Sequence, residues 1–129
     1  MDSILIRYSH LGLPLFRICV SLMMMTHGWA KLMKLTAGGE IKFYNFMGMG
    51  PEISLFLAVI GELAAPLLII VGYQTRYAAM SAAFTMGIAA FVVHGADPFG
   101  EKELALLYFL SFFMIVLTGP GAYSLDNKD

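Results

Sequence analysis

Six ionisable side chains interrupt otherwise apolar stretches of this chain: Arg17, His27, Lys31, Glu62, His94 and Glu103. Near the centre of a bilayer each costs at least about 2.5–3.5 kcal/mol, so such groups face a protein interior and find partners there. Their types define the chemistry on offer. Glu62 beside His27 is an acid/base pair that takes up and releases protons, and a cation such as Lys31 or Arg17 stabilises negative charge developing on a bound group. His27 and Lys31 lie four residues apart and therefore share a helix face, which aims both at Glu62 on the next apolar stretch. Other chemistries are poorly represented. Cys19 is the only cysteine, so there is no disulfide framework, CxxC pair or CxxCH haem attachment. No GxGxxG marks a dinucleotide site. His27 and His94 fall at different estimated depths, against a shared haem or metal. Met23, Met24 and Met25 are consecutive and point in three directions around a helix, which suits soft packing better than copper binding.

The elements that hold these groups follow from composition. Of 129 residues, 59% are hydrophobic and 13% charged, with a mean hydropathy of +0.76, whereas soluble domains carry about 25% charged residues. The class is an all-α polytopic membrane protein. A span needs about 20 residues, and four apolar stretches qualify, at about 11–35, 54–73, 77–96 and 103–118. They predict a four-transmembrane-helix bundle, one domain over residues 1–129, with both termini on one side. Pro14 is expected in the first turn of the first span. Arg17 interrupts the first apolar run and no small-residue cleavage site follows, so this run reads as a retained helix and not a signal peptide. Between the first two spans, 17 residues from Thr36 to Glu52 mix glycine, charge and three aromatics. They predict a short interfacial segment that covers one mouth of the bundle.

The net charge of −1 excludes the basic footprint that nucleic acid requires. Basic residues on the two sides nearly tie: Arg7, Arg76 and Lys128 against Lys34, Lys42 and Lys102. Cytoplasmic termini are weakly favoured, in a bacterial cytoplasmic membrane. Counting helical rise places His27 and Glu62 roughly 11–12 Å inside the mouth away from the termini, with Lys31, His94 and Glu103 within about 6 Å of it. Five of the six ionisable groups thus converge on one half. Arg17 lies in the other, either paired with an acid such as Asp126 folding back or snorkelling to the interface. For Glu62, a buried ion pair that fixes helix packing and a proton-accepting or ligand-binding carboxylate stand equally open. Ala79, Ala83 and Gly87, with Ala78 and Ala82, form a small-residue seam that serves bundle packing or, less readily, a homodimer interface. His27-Gly28 and His94-Gly95, with Glu-Leu-Ala at Glu62 and Glu103, form a faint internal echo of two hairpins.

Arg17 followed by His27-Gly-Trp-Ala-Lys31, then Gly61-Glu62-Leu63, Gly72-Tyr-Gln-Thr-Arg76-Tyr-Ala-Ala79 and the ending Gly119-Pro-Gly-Ala-Tyr-Ser124-Leu-Asp126 resemble the DoxX family of small four-helix membrane proteins over nearly the whole chain. The resemblance implies a small redox or accessory subunit of a respiratory membrane, linked to quinone-dependent oxidation of thiosulfate, with a soluble or membrane oxidoreductase subunit as partner. With no other electron carrier indicated, a quinone is the most economical one. Glu62 would then accept protons and His27 hydrogen-bond the ring, Arg17 or Lys31 would stabilise negative charge, and Trp29 or Tyr108 would stack. His94 and Glu103 complete the binding set at the mouth. The competing expectation is a non-catalytic membrane scaffold, or a small-solute carrier, whose polar cluster is structural or ligand-binding.

Overall fold

A computed structural model describes the backbone of residues 2–127 and the side chains of 8–126. The side chain of Arg7 and all of Lys128 lie outside the described residues. The first helix, α1 (Asp2–Thr36), is followed after a short 3-10 turn (Phe46–Gly48) by α2 (Pro51–Val71), α3 (Thr75–Val93) and α4 (Phe99–Thr118). Proline at the first position of α2 sets the helical φ where no hydrogen bond is lost. Gly72, at φ 76°, ends it in a left-handed turn whose amides close back on Leu68. Pro14 does not open α1, as the sequence predicts, but lies inside it, buried against the bundle. Inside a packed membrane bundle the one missing backbone bond is tolerated, and helix continues on the N-terminal side.

Among the described residues, three segments are long and apolar enough to cross a bilayer: Tyr8–Thr36, Pro51–Val71 and Thr75–Val93. The helix α4 has the length, at 20 residues, but Glu101, Lys102 and Glu103 load its first turn with charge. By length and composition the chain is therefore an all-α polytopic membrane protein with three clear spans among the described residues, and not clearly four. The expected start of the last helix at 103 also moves back to Phe99, because Pro98 takes the N-cap position and Glu101 suits the first turn.

The core lies where α3 packs on α4 and on α2, with α1 packed along α2. The seam residues Ala78, Ala79, Ala82 and Ala83 are buried in it with Met24, Ile69, Phe112 and Ile115. The seam thus serves packing within the chain. Large side chains such as Leu22, Phe84, Leu107 and Leu117 point outward, the inverse of a soluble protein and the pattern expected where lipid is the solvent.

Both α2 and α3 widen into a single π-helical stretch, at Ile60–Ala64 and at Ala89–Val93. In the first the amide of Ala65 reaches back to the carbonyl of Ile60, and in the second that of His94 reaches Ala89 at 3.0 Å. One extra residue per turn re-aims the side chains around it, and such bulges are frequent at functional sites.

Candidate functional site

Glu62 sits within the π-helical stretch of α2 and is 2% exposed. Its carboxylate pairs with the ammonium group of Lys31 on α1. Two glycines make this geometry sterically accessible. A Cβ on Gly28 would lie 2.4 Å from the Glu62 carbonyl oxygen, and one on Gly61 would lie 1.9 Å from the Thr85 hydroxyl oxygen. Lacking them, α1 and α3 both press against α2 at the turn that carries Glu62. The other side of Lys31 is covered by the segment after α1. The Phe43 ring lies 5.8 Å from the Lys31 ammonium and 5.6 Å from that of Lys34, a cation–π arrangement, and Lys34 donates to the Lys42 carbonyl. The Phe46 amide donates to Ser54 Oγ at 2.8 Å. These contacts hold the segment after α1 against Lys31 and the start of α2.

Two cavities flank the ion pair and share Lys31, Glu62 and Ala89 in their walls. The first, of about 210 Å³, is apolar and aromatic, with Phe43, Tyr44, Phe46, Leu57, Ile60 and Phe84 in its lining. Leu57, Ile60 and Phe84 are also exposed on the outer surface of the bundle, so this cavity opens sideways, toward lipid. Two of its hydroxyls are already engaged: Ser54 accepts from Phe46, and Thr85 donates to the Ser81 carbonyl at 2.9 Å. The second cavity, of about 190 Å³, is polar, with His27, His94, Glu101 and Tyr108 joining the ion pair. The His27 ring stands edge-on to Tyr108 at 5.8 Å, and His94 Nδ1 lies 2.8 Å from an Asp97 carboxylate oxygen.

The structure thus brings together His27, Lys31, Glu62, His94 and Tyr108. Glu103 is exposed and borders neither cavity; Glu101, two residues earlier, takes that place. The helix begins before residue 103, so the face turned to the cavity belongs to 101, 104, 105 and 108. Trp29 is 56% exposed on the outside of α1, and the aromatic wall comes instead from Phe43, Tyr44 and Phe46. Only the general aromatic content of the connecting segment hinted at that.

Arg17 is fully buried elsewhere. Its guanidinium donates to the carbonyls of Ile69 (3.1 Å), Pro120 (2.7 Å), Ala122 (2.9 Å) and Tyr123 (2.6 Å), a fork-shaped use that arginine geometry favours. It stitches the C-terminal segment onto α1 and α2. Asp126 does fold back, but onto the backbone amides of Gln74 and Thr75 at 2.9 Å each, where it caps α3 in place of a side chain from Gln74. Burial opposes ionisation of that carboxyl. The Thr75 hydroxyl, the two amides and the positive charge of Arg17 outweigh it and hold Asp126 below the usual carboxylate range. Gly72 and Gly119 leave room for this knot, against Ser124 and the Arg76 guanidinium. Among the described residues no three His, Cys, Asp or Glu side chains converge as a metal site.

The architecture and the paired charges inside it define a polytopic helical membrane protein with a buried ion pair between its helices. The DoxX family model matches residues 12–95, which hold the Lys31–Glu62 centre, both π-helical stretches and Arg17, and the chain belongs to the DoxX family. It is 34% identical to an uncharacterized protein of Haemophilus influenzae, over 95% of this chain and 93% of that one. It is 31% identical to the inner membrane protein YqjF of Escherichia coli K12 over 90% of each chain, and 29% identical to the inner membrane protein YphA of the same organism over 87% and 86%. No solved structure matches it. The chain is an integral protein of the bacterial inner membrane.

Proposed function

We propose that the chain is a small redox or accessory subunit that binds a quinone in the apolar cavity and serves its proton exchange through Lys31 and Glu62. The observation that carries this reading is the position of the ion pair, with an apolar, lipid-facing cavity on one side and a polar one on the other. A ligand that lives in the bilayer and exchanges protons needs both. The cavity fits the ring: its walls are aromatic and aliphatic, and Lys31 and Glu62 supply the groups able to meet a ring oxygen. A bound quinone supplies two-electron, two-proton redox chemistry. The protein's own part is to hold the ring, exclude water from the apolar side, and present an acid/base group and a cation at one wall. In this reading α4 crosses the bilayer as the fourth span, with its charged first turn at the mouth. Electrons come from a partner oxidoreductase subunit, one that oxidises thiosulfate if the family resemblance extends so far.

A scaffold role has its own support, since Gly28 against the Glu62 backbone and Lys31 on its carboxylate tie α1 to α2. Binding separates the two. Purified protein in mild detergent is equilibrated with a short-chain ubiquinone analogue, and bound and free quinone are separated by ultrafiltration. Saturable binding near one per chain, weakened at least about tenfold in Glu62→Gln while the variant stays folded, supports the quinone reading. Binding that is unsaturable, or equal in wild type and Glu62→Gln, leaves the scaffold.

A further inference from the structure

The polar cavity has the lining of a passage and not of a ligand site. Its charged and titratable groups come from every helix around it: His27 and Lys31 from α1, Glu62 from α2, His94 at the end of α3, and Glu101 and Tyr108 from α4. Asp97 in the following turn faces His94, and Lys102 is occupied with the Gly95 carbonyl at 2.9 Å. Acids, bases and a cation share the walls of about 190 Å³ of space with Met24, Met86 and Leu104. No single ligand charge is complemented by such a set, whereas water and a migrating proton are. The two ends of the set differ in burial. Glu62 is buried, and the His94 and Asp97 side chains at the mouth are 40% and 46% exposed.

We propose that this cavity is a water-filled proton vestibule, with His94, oriented by Asp97, as its outer exchange group and Glu62 as its inner end. The inference rests on the quinone reading for its purpose, though not for its geometry. Reduction of a quinone consumes two electrons from the donor subunit and two protons, and oxidation of the quinol returns them. The apolar cavity offers no aqueous source, so the protons cross the wall at Glu62. Imidazole is the side chain that exchanges protons with water near neutral pH, and one fixed by a carboxylate keeps a constant tautomer and direction. His27 also borders the cavity, exposed on α1 and edge-on to Tyr108. The pair Lys31–Glu62 is then a gate between compartments: a proton reaching the carboxylate neutralises it and loosens the hold on Lys31. His94 acts through Glu62 and is a positioning and relay residue.

Two experiments test this. In a Cys19→Ser background, Ala105→Cys places a thiol in the polar cavity and Ala58→Cys one in the apolar cavity. A charged, water-soluble methanethiosulfonate should label the first at least about tenfold faster than the second; equal or reversed rates overturn the vestibule. This arm needs no quinone and stands or falls apart from the proposed function. In the second arm, a short-chain ubiquinone analogue bound to the protein is reduced electrochemically through a soluble mediator, and loss of the oxidised-ring absorbance is followed across about pH 5 to 8. His94→Gln should slow reduction about tenfold or more toward the alkaline end, and added imidazole should restore it. Asp97→Asn should slow it less, with the same rescue. A wild-type pH profile in a folded His94→Gln protein that still binds the analogue overturns the role of His94 while leaving the quinone reading intact. Should the analogue fail to bind wild type at all, the quinone reading falls and the labelling result alone decides the vestibule.

Discussion

Gly28 meets the backbone of Glu62 so closely that a single added carbon would lie 2.4 Å from its carbonyl oxygen. One turn further along α1, Lys31 pairs with the carboxylate of that same residue. The absent side chain and the long one act together: the first lets the helices close, and the second uses the closeness.

Gly28→Ala and Gly61→Ala should therefore both destabilise the bundle, by about 1–3 kcal/mol each as overpacked sites do, but they should respond differently to a second change. The Gly61 contact is with the Thr85 side chain, so Thr85→Ala should recover part of the loss. The Gly28 contact is with backbone, and no side-chain replacement should recover it. Thermal unfolding in detergent checks both.

Lys31→Met leaves Glu62 buried without its partner, and Glu62→Gln leaves Lys31 without a counter-charge. Each should cost about 1–3 kcal/mol, below the range for fully buried pairs because the Lys31 side chain is 31% exposed. The double variant should be more stable than the sum of the two predicts. Quinone binding should stay weak in all three. A double variant that regained binding along with stability would assign the pair to packing alone.

The convergence of His27, Lys31, Glu62 and His94 was legible in the sequence because helical rise and i,i+4 spacing are fixed by backbone geometry. Helix lengths set the depth of each group before any packing is known. What was not legible depended on rotation and on chain reversal. Glu101 in place of Glu103 follows from a helix that starts four residues earlier, and Trp29 faces outward because α1 is rotated to turn Gly28 and Lys31 toward α2. The wall of Phe43, Tyr44 and Phe46 depends on how a glycine-rich connection folds, which no periodicity encodes. The Arg17 knot was half legible: a return of Asp126 follows from charge, but its target, the bare N-terminus of α3, exists only because Gln74 at φ 50° provides no cap of its own.

Arg17→Lys should unfold at a markedly lower temperature than wild type, corresponding to about 3 kcal/mol or more. A point charge cannot reach the four carbonyls that the guanidinium serves, and buried acceptors left bare cost about 1–3 kcal/mol each. Quinone binding by the protein that remains folded should be unchanged, since about 21 Å of helix separates Arg17 from Lys31.

Asp126 makes the C-terminal knot sensitive to acid. Its carboxyl is held below the ordinary range in the folded chain, so its contribution is fully present above the ordinary carboxylate pKa of about 3.9 and is lost as pH falls through the lower folded value. The difference in melting temperature between wild type and Asp126→Ala should be constant from neutral pH down to about pH 5 and should shrink below about pH 4. At neutral pH the loss of the cap should cost about 1 kcal/mol.

The central claim is that the wall containing Lys31 and Glu62 meets a quinone. Its most direct test is the quinone content of the protein purified from its native membrane in mild detergent, measured in an organic extract alongside oxidised and reduced ultraviolet–visible spectra. Quinone should approach one per chain in wild type and be lost from folded Glu62→Gln and Lys31→Met proteins. A well-folded wild-type protein free of quinone, or Glu62→Gln retaining as much as wild type, would contradict the claim.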